Sequence, residues 1–308
     1  MTHCKHWAVW SYQVPLKKPL AVLGYNSQTR QGWIIGRYNK TTSKWEYGEV
    51  SPLYSFHNTD YKSIYDDIIN SVRYNKKPQT ALVKNIFDVW DTPVQSGTLQ
   101  INSLLSTPAH PIQSPPLTVK IKLGRQSFEK DIEYFSRLQQ MHPTTKWRLD
   151  CNRQWTPAQL RSFWSHCNQD HIEYIEDPLT DPRLLETIQD IPIALDESLM
   201  EFQNLLALPH VVAAIIKPTL HMNWQSIVEK YPTVHCILSS TFEGSLGIWG
   251  LGQLALSHRP NQVHGLGTLS WFQEEIVQQP LQYTDSTLTI PARAPQPIFS
   301  RLKWEDGQ

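Results

Sequence analysis

The stretch that decides the fold is Leu117-Thr-Val-Lys-Ile-Lys122, an apolar run that ends in charge, and the chain repeats this pattern. Trp147-Arg-Leu-Asp150 is the next such run, and three later runs end at Glu176, Asp196 and Lys217. The five final charges are 28, 26, 20 and 21 residues apart, about the length of a strand plus a crossover helix. Because the strands of a β/α barrel end at one face, the pattern predicts that these side chains meet there.

Apolar strand-like segments continue on both sides of this series. They begin near Leu99, Leu117, Trp147, Ile172, Ile191, Val211, Val234 and Gln262. Helical spacing lies between them, and Thr156-Pro157 and Asp181-Pro182 each place a capping side chain before a proline, as at helix starts. We therefore predict an α/β fold, a TIM-like (β/α)7β barrel that forms a catalytic domain over residues 98–286.

The first part of the chain has a different pattern. Aromatic strand-like segments are followed by helical spacing, at 8–14, 32–38, 44–50, 61–74 and 80–92. This order predicts an α+β capping domain over residues 1–97, on which residues 287–308 pack back. Residues 23–30 are expected to act as a lid over the barrel mouth, and the proline-rich stretch 106–116 is expected to be a loop.

Composition excludes several classes of protein. The 308 residues include 28 basic and 28 acidic side chains, so neither nucleic acid nor an anionic membrane is expected as a partner. The sequence has no apolar stretch of about 20 residues, the length of a membrane span. Four cysteines without Cys-x-x-Cys spacing predict reduced thiols in a cytoplasmic protein. We expect a monomer or a weak homo-oligomer that acts on a small carboxylate substrate.

The three acidic residues of the series are candidate metal ligands. Asp150, Glu176 and Asp196 offer only carboxylate oxygens, which suit Mg²⁺, with Mn²⁺ able to substitute. No cysteine or histidine joins the set, which argues against zinc. Each acid taken alone is just as well explained as a strand-end or capping residue.

The lysines are candidate proton-transfer groups. Lys120 and Lys122 are two residues apart, so their side chains leave the same face of a strand. Like-charge repulsion and burial near a cation would favour the neutral amine, and such a lysine can act as a base. Lys217 either extends towards water or faces the site as a second acid/base or an electrostatic partner.

Other candidates lie at the remaining strand ends. Ser239 and Ser240 precede a helix start at Glu243-Gly-Ser-Leu-Gly247, where hydroxyl and N–H groups could bind a substrate carboxylate or simply cap the helix. Around Gly265 and Leu266, glycines could let the backbone approach a ligand. Asn152 is predicted to support a metal ligand. Arg148 is assigned the same role, with a core ion pair as the alternative, and His171, His235 and His264 are interpreted as structural.

These motifs together resemble a known family. Similarity to the enolase superfamily is found in Lys120-x-Lys122, Leu149-Asp150-x-Asn152, Glu176-Asp177-Pro178, Asp196-Glu197-Ser198 and Ile216-Lys217-Pro218. Lysines on strands two and six are typical of its muconate-lactonising subgroup. Within that subgroup the chain is most similar to the o-succinylbenzoate synthase family of menaquinone biosynthesis. Further similarity lies in the segments 148–157, 215–220 and 239–247, and in the capping-domain segment 47–53.

The resemblance implies a reaction. It implies a lyase that dehydrates 2-succinyl-6-hydroxy-2,4-cyclohexadiene-1-carboxylate to 2-succinylbenzoate, with Mg²⁺ held by the three acids. Lys122 would remove the proton next to the ring carboxylate and then protonate the leaving hydroxyl. Lys217 would stabilise the enediolate from the opposite face, and Lys120 would bind the carboxylate. The alternative is an N-succinylamino-acid racemase or dipeptide epimerase, in which Lys122 and Lys217 exchange protons on opposite faces of one carbon.

Overall fold

A computed structural model describes residues 6–22, 25–105 and 118–307. The predicted loop 106–116 and two residues of the predicted lid, 23 and 24, therefore lie outside the described residues. The strands are β1 Trp7–Val22, β2 Tyr25–Asn39, β3 Lys44–Val50, β4 Gly97–Ile101, β5 Ser103–Leu105, β6 Thr118–Lys122, β7 Lys146–Asp150, β8 Ile172–Glu176, β9 Ile193–Leu195, β10 Val211–Ile216, β11 His235–Leu238, β12 Val263–His264, β13 Thr287–Ile290 and β14 Lys303–Gly307. The α-helices are α1 Tyr54–His57, α2 Tyr61–Tyr74, α3 Ala81–Asp91, α4 Phe128–Met141, α5 Pro157–His166, α6 Trp224–Lys230 and α7 Ser245–His258.

The N-terminal part forms a capping layer of one antiparallel sheet and two main helices. The strand order is β14-β1-β2-β3. Apolar residues of α2 and α3, such as Ile64, Ile68 and Ile86, pack with Val9 and Ile35 of the sheet in one buried cluster. Because one face of each helix is apolar and matches the apolar face of the sheet, the α+β prediction from the sequence is confirmed here.

The second part is a ring of parallel strands. Strands β5 to β11 lie side by side in chain order. The amide of Gly265 donates to Leu238 O at 2.8 Å, which links β11 to the segment after β12. The amide of Asn102 donates to His264 O at 3.0 Å, and β12 also pairs with β4 in parallel. These bonds close the barrel. Its first strand consists of β4 and β5, which are separated at Asn102, and the other seven are β6 to β12, so the barrel has the eight strands of the (β/α)7β prediction.

The crossover segments are helical, but not all of them are α-helices. Thr156 caps α5 in a complete capping box with Gln159, as the Thr-Pro signal predicts. Asp181 also caps a helix, yet the segment that follows, Pro182–Thr187, is 3₁₀. The next crossover likewise contains only 3₁₀ turns, at Glu197–Met200 and Gln203–Ala207. These crossovers are short, and short helical pieces commonly take the tighter form.

The C-terminal segment divides between the two layers. β14 pairs with β1 of the capping sheet, whereas β13 pairs antiparallel with β4 of the barrel. The whole of 287–308 was predicted to pack on the capping layer. That prediction is wrong for β13, which belongs to the barrel. In the described ranges, no helix combines the length and apolar character that crossing a membrane requires.

Candidate active site

Three carboxylates stand at the ends of three adjacent strands. Asp150 is the last residue of β7, Glu176 is the last residue of β8, and Asp196 directly follows β9. Asp150 and Glu176 are paired across the sheet, and Glu176 is paired with Ala194. All three side chains are buried, with 8%, 2% and 6% of their surface exposed. The spacing of apolar runs in the sequence therefore brings them to one place, as predicted.

The ammonium group of Lys120 lies among these carboxylates. Its Nζ bonds to Glu176 Oε2, lies 3.2 Å from Asp150 Oδ2 and lies 4.0 Å from Asp196 Oδ2. Burial alone would lower the pKa of Lys120, but the three carboxylates outweigh burial and raise that pKa well above its usual value. The charged form of Lys120 is therefore favoured while its ammonium group lies among the three carboxylates, and the neutral amine expected beside a bound cation stays a prediction.

The donor set fits a divalent cation in its chemistry. All three acids supply oxygen atoms, the ligands that Mg²⁺ prefers, and each has an oxygen within 4.0 Å of one shared nitrogen. Across the described residues, no three acidic, histidine or cysteine side chains are arranged so that they could hold a metal ion as they stand. A divalent cation would therefore have to take over the contacts that Lys120 makes with Asp150, Glu176 and Asp196.

Two further lysines mark the ends of the carboxylate row. Lys122 Nζ lies 3.8 Å from Asp150 Oδ2, and 29% of its side chain is exposed. Lys217 bonds to Asp196 Oδ1, lies 3.2 Å from Glu197 Oε1 and is 7% exposed. The two amines thus stand on opposite sides of the three acids.

These two lysines have pKa values shifted in opposite directions. Burial lowers the pKa of Lys122, and the neighbouring charge of Lys120 lowers it further against the opposing effect of Asp150. Burial also opposes the charge on Lys217, but Asp196 and Glu197 outweigh burial and raise its pKa. Lys122 is therefore the amine that loses its proton more easily, as expected of a base.

The capping layer contributes a side chain that sequence reasoning missed. Phe56, in α1, lines the same cavity as the lysines, and Lys217 Nζ lies 5.0 Å from the centre of its ring. This distance is within the range of a cation–π contact. Nothing in the local sequence around Phe56 signals this role, since the contact depends on how the capping layer sits on the barrel.

The loop that carries Asp196 is held in place by its neighbour strand. The amide of Ser198 donates to Asp177 Oδ2 at 2.9 Å, and the hydroxyl of Ser198 donates to Asp177 Oδ1. Asp177 has a φ of 39°, in the left-handed region, which turns the chain sharply after β8. The motifs Glu176-Asp177 and Asp196-Glu197-Ser198 are therefore joined by direct hydrogen bonds.

The predicted anion site at the start of α7 is already occupied by the protein itself. Glu49 of the capping layer accepts hydrogen bonds from the amides of Gly244 and Gly247 at 2.8 Å and 2.7 Å. The hydroxyl of Tyr12 donates to the same carboxylate at 2.5 Å. Because Glu49 satisfies these N–H groups and the positive end of the helix dipole, this helix start does not bind a substrate carboxylate.

Of the other predicted residues, some line the cavity and some do not. Ser239, Ser240 and Gly265 line it, and the Ser240 hydroxyl also shares a 2.8 Å hydrogen bond with Thr268 Oγ1. Leu266 does not line the cavity, because its side chain is fully buried in the main apolar core. The prediction for this segment concerned its backbone, which a buried side chain does not test, so it stays a prediction for Leu266.

The two residues that flank Asp150 differ in position. Arg148 lines the cavity and makes an ion pair with Glu173 at 2.7 Å, the core pairing that was one of its two interpretations. Asn152 is exposed, has a φ of 49° and is absent from the cavity lining. The turn after β7 directs it away, so the predicted support of a metal ligand by Asn152 is wrong.

Comparison with known proteins agrees with this geometry. Residues 117–222 match the family model described as enolase C-terminal domain-like. The o-succinylbenzoate synthase of Enterobacter sp. (strain 638) is 27% identical over 316 aligned residues, which cover 90% of this chain and 96% of that protein.

Solved structures share the fold. The o-succinylbenzoate synthase of Thermosynechococcus elongatus BP-1, complexed with Mg in its active site, has a TM-score of 0.70 at 21% identity, covering 88% of this chain and 95% of that one. A substrate-liganded L-Ala-D/L-Glu epimerase from Bacillus subtilis has a TM-score of 0.74 at 16% identity, with full coverage of both chains. The chain therefore has the fold of the enolase superfamily, contains an enolase C-terminal domain-like segment and resembles the o-succinylbenzoate synthases of that superfamily.

Proposed function

We propose that the protein is an Mg²⁺-dependent o-succinylbenzoate synthase. It would convert 2-succinyl-6-hydroxy-2,4-cyclohexadiene-1-carboxylate into 2-succinylbenzoate and water, as a hydro-lyase of menaquinone biosynthesis. The observation that carries the proposal is the unequal pair of lysines, Lys122 and Lys217, at the two ends of the carboxylate row. The name shared by its full-length relatives supports the same reaction.

Lys122 is the group that moves the proton. Its amine is partly exposed and, within the described part of the chain, its nearest carboxylate oxygen lies 3.8 Å away, so it is free to approach a bound substrate. It takes the proton from the ring carbon next to the carboxylate, and the electron pair of that C–H bond begins to form the aromatic double bond. The C–OH bond then breaks, Lys122 returns its proton to the departing hydroxyl, and water leaves.

Lys217 has the complementary role. It is buried and held by both Asp196 and Glu197, so it keeps its charge and its position. A fixed cation on the far side of the ring stabilises the negative charge that develops as the proton leaves. Lys120 supplies a second positive charge at the carboxylate end of the substrate.

Asp150, Glu176 and Asp196 would hold Mg²⁺ in the proposed enzyme. The bound ion would supply positive charge at the substrate carboxylate, where negative charge accumulates in the transition state. A carboxylate makes the adjacent C–H bond only very weakly acidic, so the reaction needs this concentration of positive charge around it.

A racemase or epimerase is the second candidate. The fold is shared with the L-Ala-D/L-Glu epimerase from Bacillus subtilis and with an N-succinyl Arg/Lys racemase from Bacillus cereus ATCC 14579, at TM-scores of 0.74 each. Such a reaction needs both Lys122 and Lys217 to give and accept protons. The tight hold of two carboxylates on Lys217 favours the dehydratase, in which only Lys122 must change its protonation.

Assays on both substrate classes test the proposal. With MgCl₂ present, we expect the cyclohexadiene substrate to be aromatised, with loss of turnover in EDTA and in Lys122→Ala. Circular dichroism should show that Lys122→Ala is folded, and Lys130→Ala, on the exposed side of α4, serves as the matched control. Racemisation of N-succinylamino acids or dipeptides without dehydration would contradict the proposal.

A further inference from the structure

One polar group of the cavity has no hydrogen-bond partner among the described residues. The hydroxyl of Tyr174 is buried and makes no hydrogen bond to any described residue. The residue itself is 3% exposed and lines the same cavity as Lys120 and Lys122. A phenol is a good hydrogen-bond donor at neutral pH. When such a donor is buried without an acceptor, the folded state is destabilised, because the hydrogen bond to water is lost and not replaced.

Tyr174 stands one layer below the carboxylate row. It precedes Glu176 by two residues on β8, so both side chains lie on the same face of the strand. Its cross-strand neighbour is Arg148, which in turn is paired with Lys120. The layer beneath Asp150 and Glu176 therefore presents polar side chains to the cavity.

Apolar side chains of other barrel strands pack around the ring. Tyr174 packs in one buried cluster with Ala194, Ala213, Ile215 and Ile237. The guanidinium carbon of Arg148 lies 5.0 Å from the centre of the tyrosine ring. These contacts fix the ring, but none of them offers an acceptor to the hydroxyl.

We propose that Tyr174 is a substrate-binding, specificity-determining residue whose hydroxyl donates a hydrogen bond to an oxygen on the side chain of the bound substrate. This inference rests on the proposed function, because it takes 2-succinylbenzoate and its precursor as the ligands. Their ring carboxylate is expected to bind among Lys120 and the acids. The remaining oxygens belong to the side-chain ketone and the terminal carboxylate. Both can accept a hydrogen bond from a phenol.

Binding of three ligands separates these two oxygens. Calorimetric titration with MgCl₂ present would use 2-succinylbenzoate, 2-butyrylbenzoate, which lacks the terminal carboxylate, and 2-(3-carboxypropyl)benzoate, which lacks the ketone. The proteins are the wild type, Tyr174→Phe, and the control Tyr74→Phe, a tyrosine that is 59% exposed in the capping layer. Phenylalanine keeps the ring and removes only the hydroxyl.

Tyr174→Phe should bind 2-succinylbenzoate about 3- to 12-fold more weakly, the usual worth of one hydrogen bond. One of the two analogues should bind equally well to wild type and Tyr174→Phe, and it identifies the oxygen that the tyrosine contacts. The ligand-free variant should melt no lower than the wild type, since it loses an unpaired donor. Tyr74→Phe should match the wild type throughout.

Two results for Tyr174→Phe would overturn the inference without touching the proposed function. Unchanged affinity for 2-succinylbenzoate in Tyr174→Phe would show that the hydroxyl contacts no ligand. If Tyr174→Phe lost affinity by the same factor for all three ligands, the hydroxyl would contact a group that all three share, such as the ring carboxylate, and not an oxygen of the side chain. Failure of the wild type to bind 2-succinylbenzoate would contradict the proposed function itself, and the inference with it.

Discussion

Replacement of Lys120 by methionine tests the electrostatics of the site most directly. The Nζ of Lys120 bonds to Glu176 and lies 3.2 Å and 4.0 Å from Asp150 and Asp196. Methionine has a similar length without the charge. Lys120→Met therefore removes the shared cation and leaves the volume of the side chain nearly unchanged.

The expected magnitude follows from the burial of the acids. Removal of one partner from a buried ion pair costs about 3–5 kcal/mol, because the remaining charge is left without compensation. Lys217 still pairs with Asp196, so we expect the free energy of unfolding in EDTA to fall by about 3 kcal/mol. The freed carboxylates of Asp150 and Glu176 should then bind Mg²⁺, which stabilises by about 2.7 kcal/mol at a hundred times its dissociation constant.

Urea unfolding followed by circular dichroism, in EDTA and in MgCl₂, measures both effects. MgCl₂ should raise the unfolding midpoint of Lys120→Met more than that of the wild type, because in the wild type the ammonium competes for the same oxygens. Lys62→Met, at a side chain that is 83% exposed, should change stability by no more than about 0.5 kcal/mol. Wild-type stability of Lys120→Met in EDTA would refute the reasoning.

Three other changes have definite outcomes. Glu49→Gln places an amide against the N–H groups that begin α7, so urea denaturation should show a loss of about 2–4 kcal/mol; an unchanged midpoint would contradict the role of Glu49 in joining the two layers. Phe56→Ala should lower kcat/KM about 10-fold, because the ring contacts Lys217 from the capping layer; normal kinetics would argue against this contact. Asp177→Asn should lower kcat more than it raises KM, because asparagine keeps only one of the two acceptor oxygens that hold Ser198 in the loop of Asp196; Ser198→Ala, which removes the hydroxyl bond, should reproduce part of that loss.

Periodicity in the sequence was sufficient to predict most of the architecture. Each barrel strand is a short apolar run because both of its faces are buried, and such runs are visible without any structure. The Thr156 cap and the helices of the capping layer follow equally local rules. The division of residues 287–308 between two sheets was not predictable, because each strand pairs with a partner far away in the chain, β4 for β13 and β1 for β14.

Prediction of the site succeeded for residues whose position along a strand determines the face on which the side chain lies. Lys120, Lys122, Asp150 and Glu176 all lie on one face near strand ends, and the structure brings them together. Prediction failed for residues whose orientation or hydrogen bonding depends on a turn or on a contact with a distant part of the chain. Asn152 turns away after β7, and the amides that begin α7 are satisfied by a glutamate almost two hundred residues earlier in the chain.

The sequence by itself determined the barrel, the order of its charged strand ends and the oxygen-only character of the acidic set, because alternation and spacing along a strand are local properties. Only the tertiary structure decided which charges compensate each other. Lys120 is held by the three acids, Lys217 is fixed by two carboxylates and Lys122 is left comparatively free. Electrostatic energy depends on the distance between charges and on their burial, and neither can be derived from the spacing of residues along a chain.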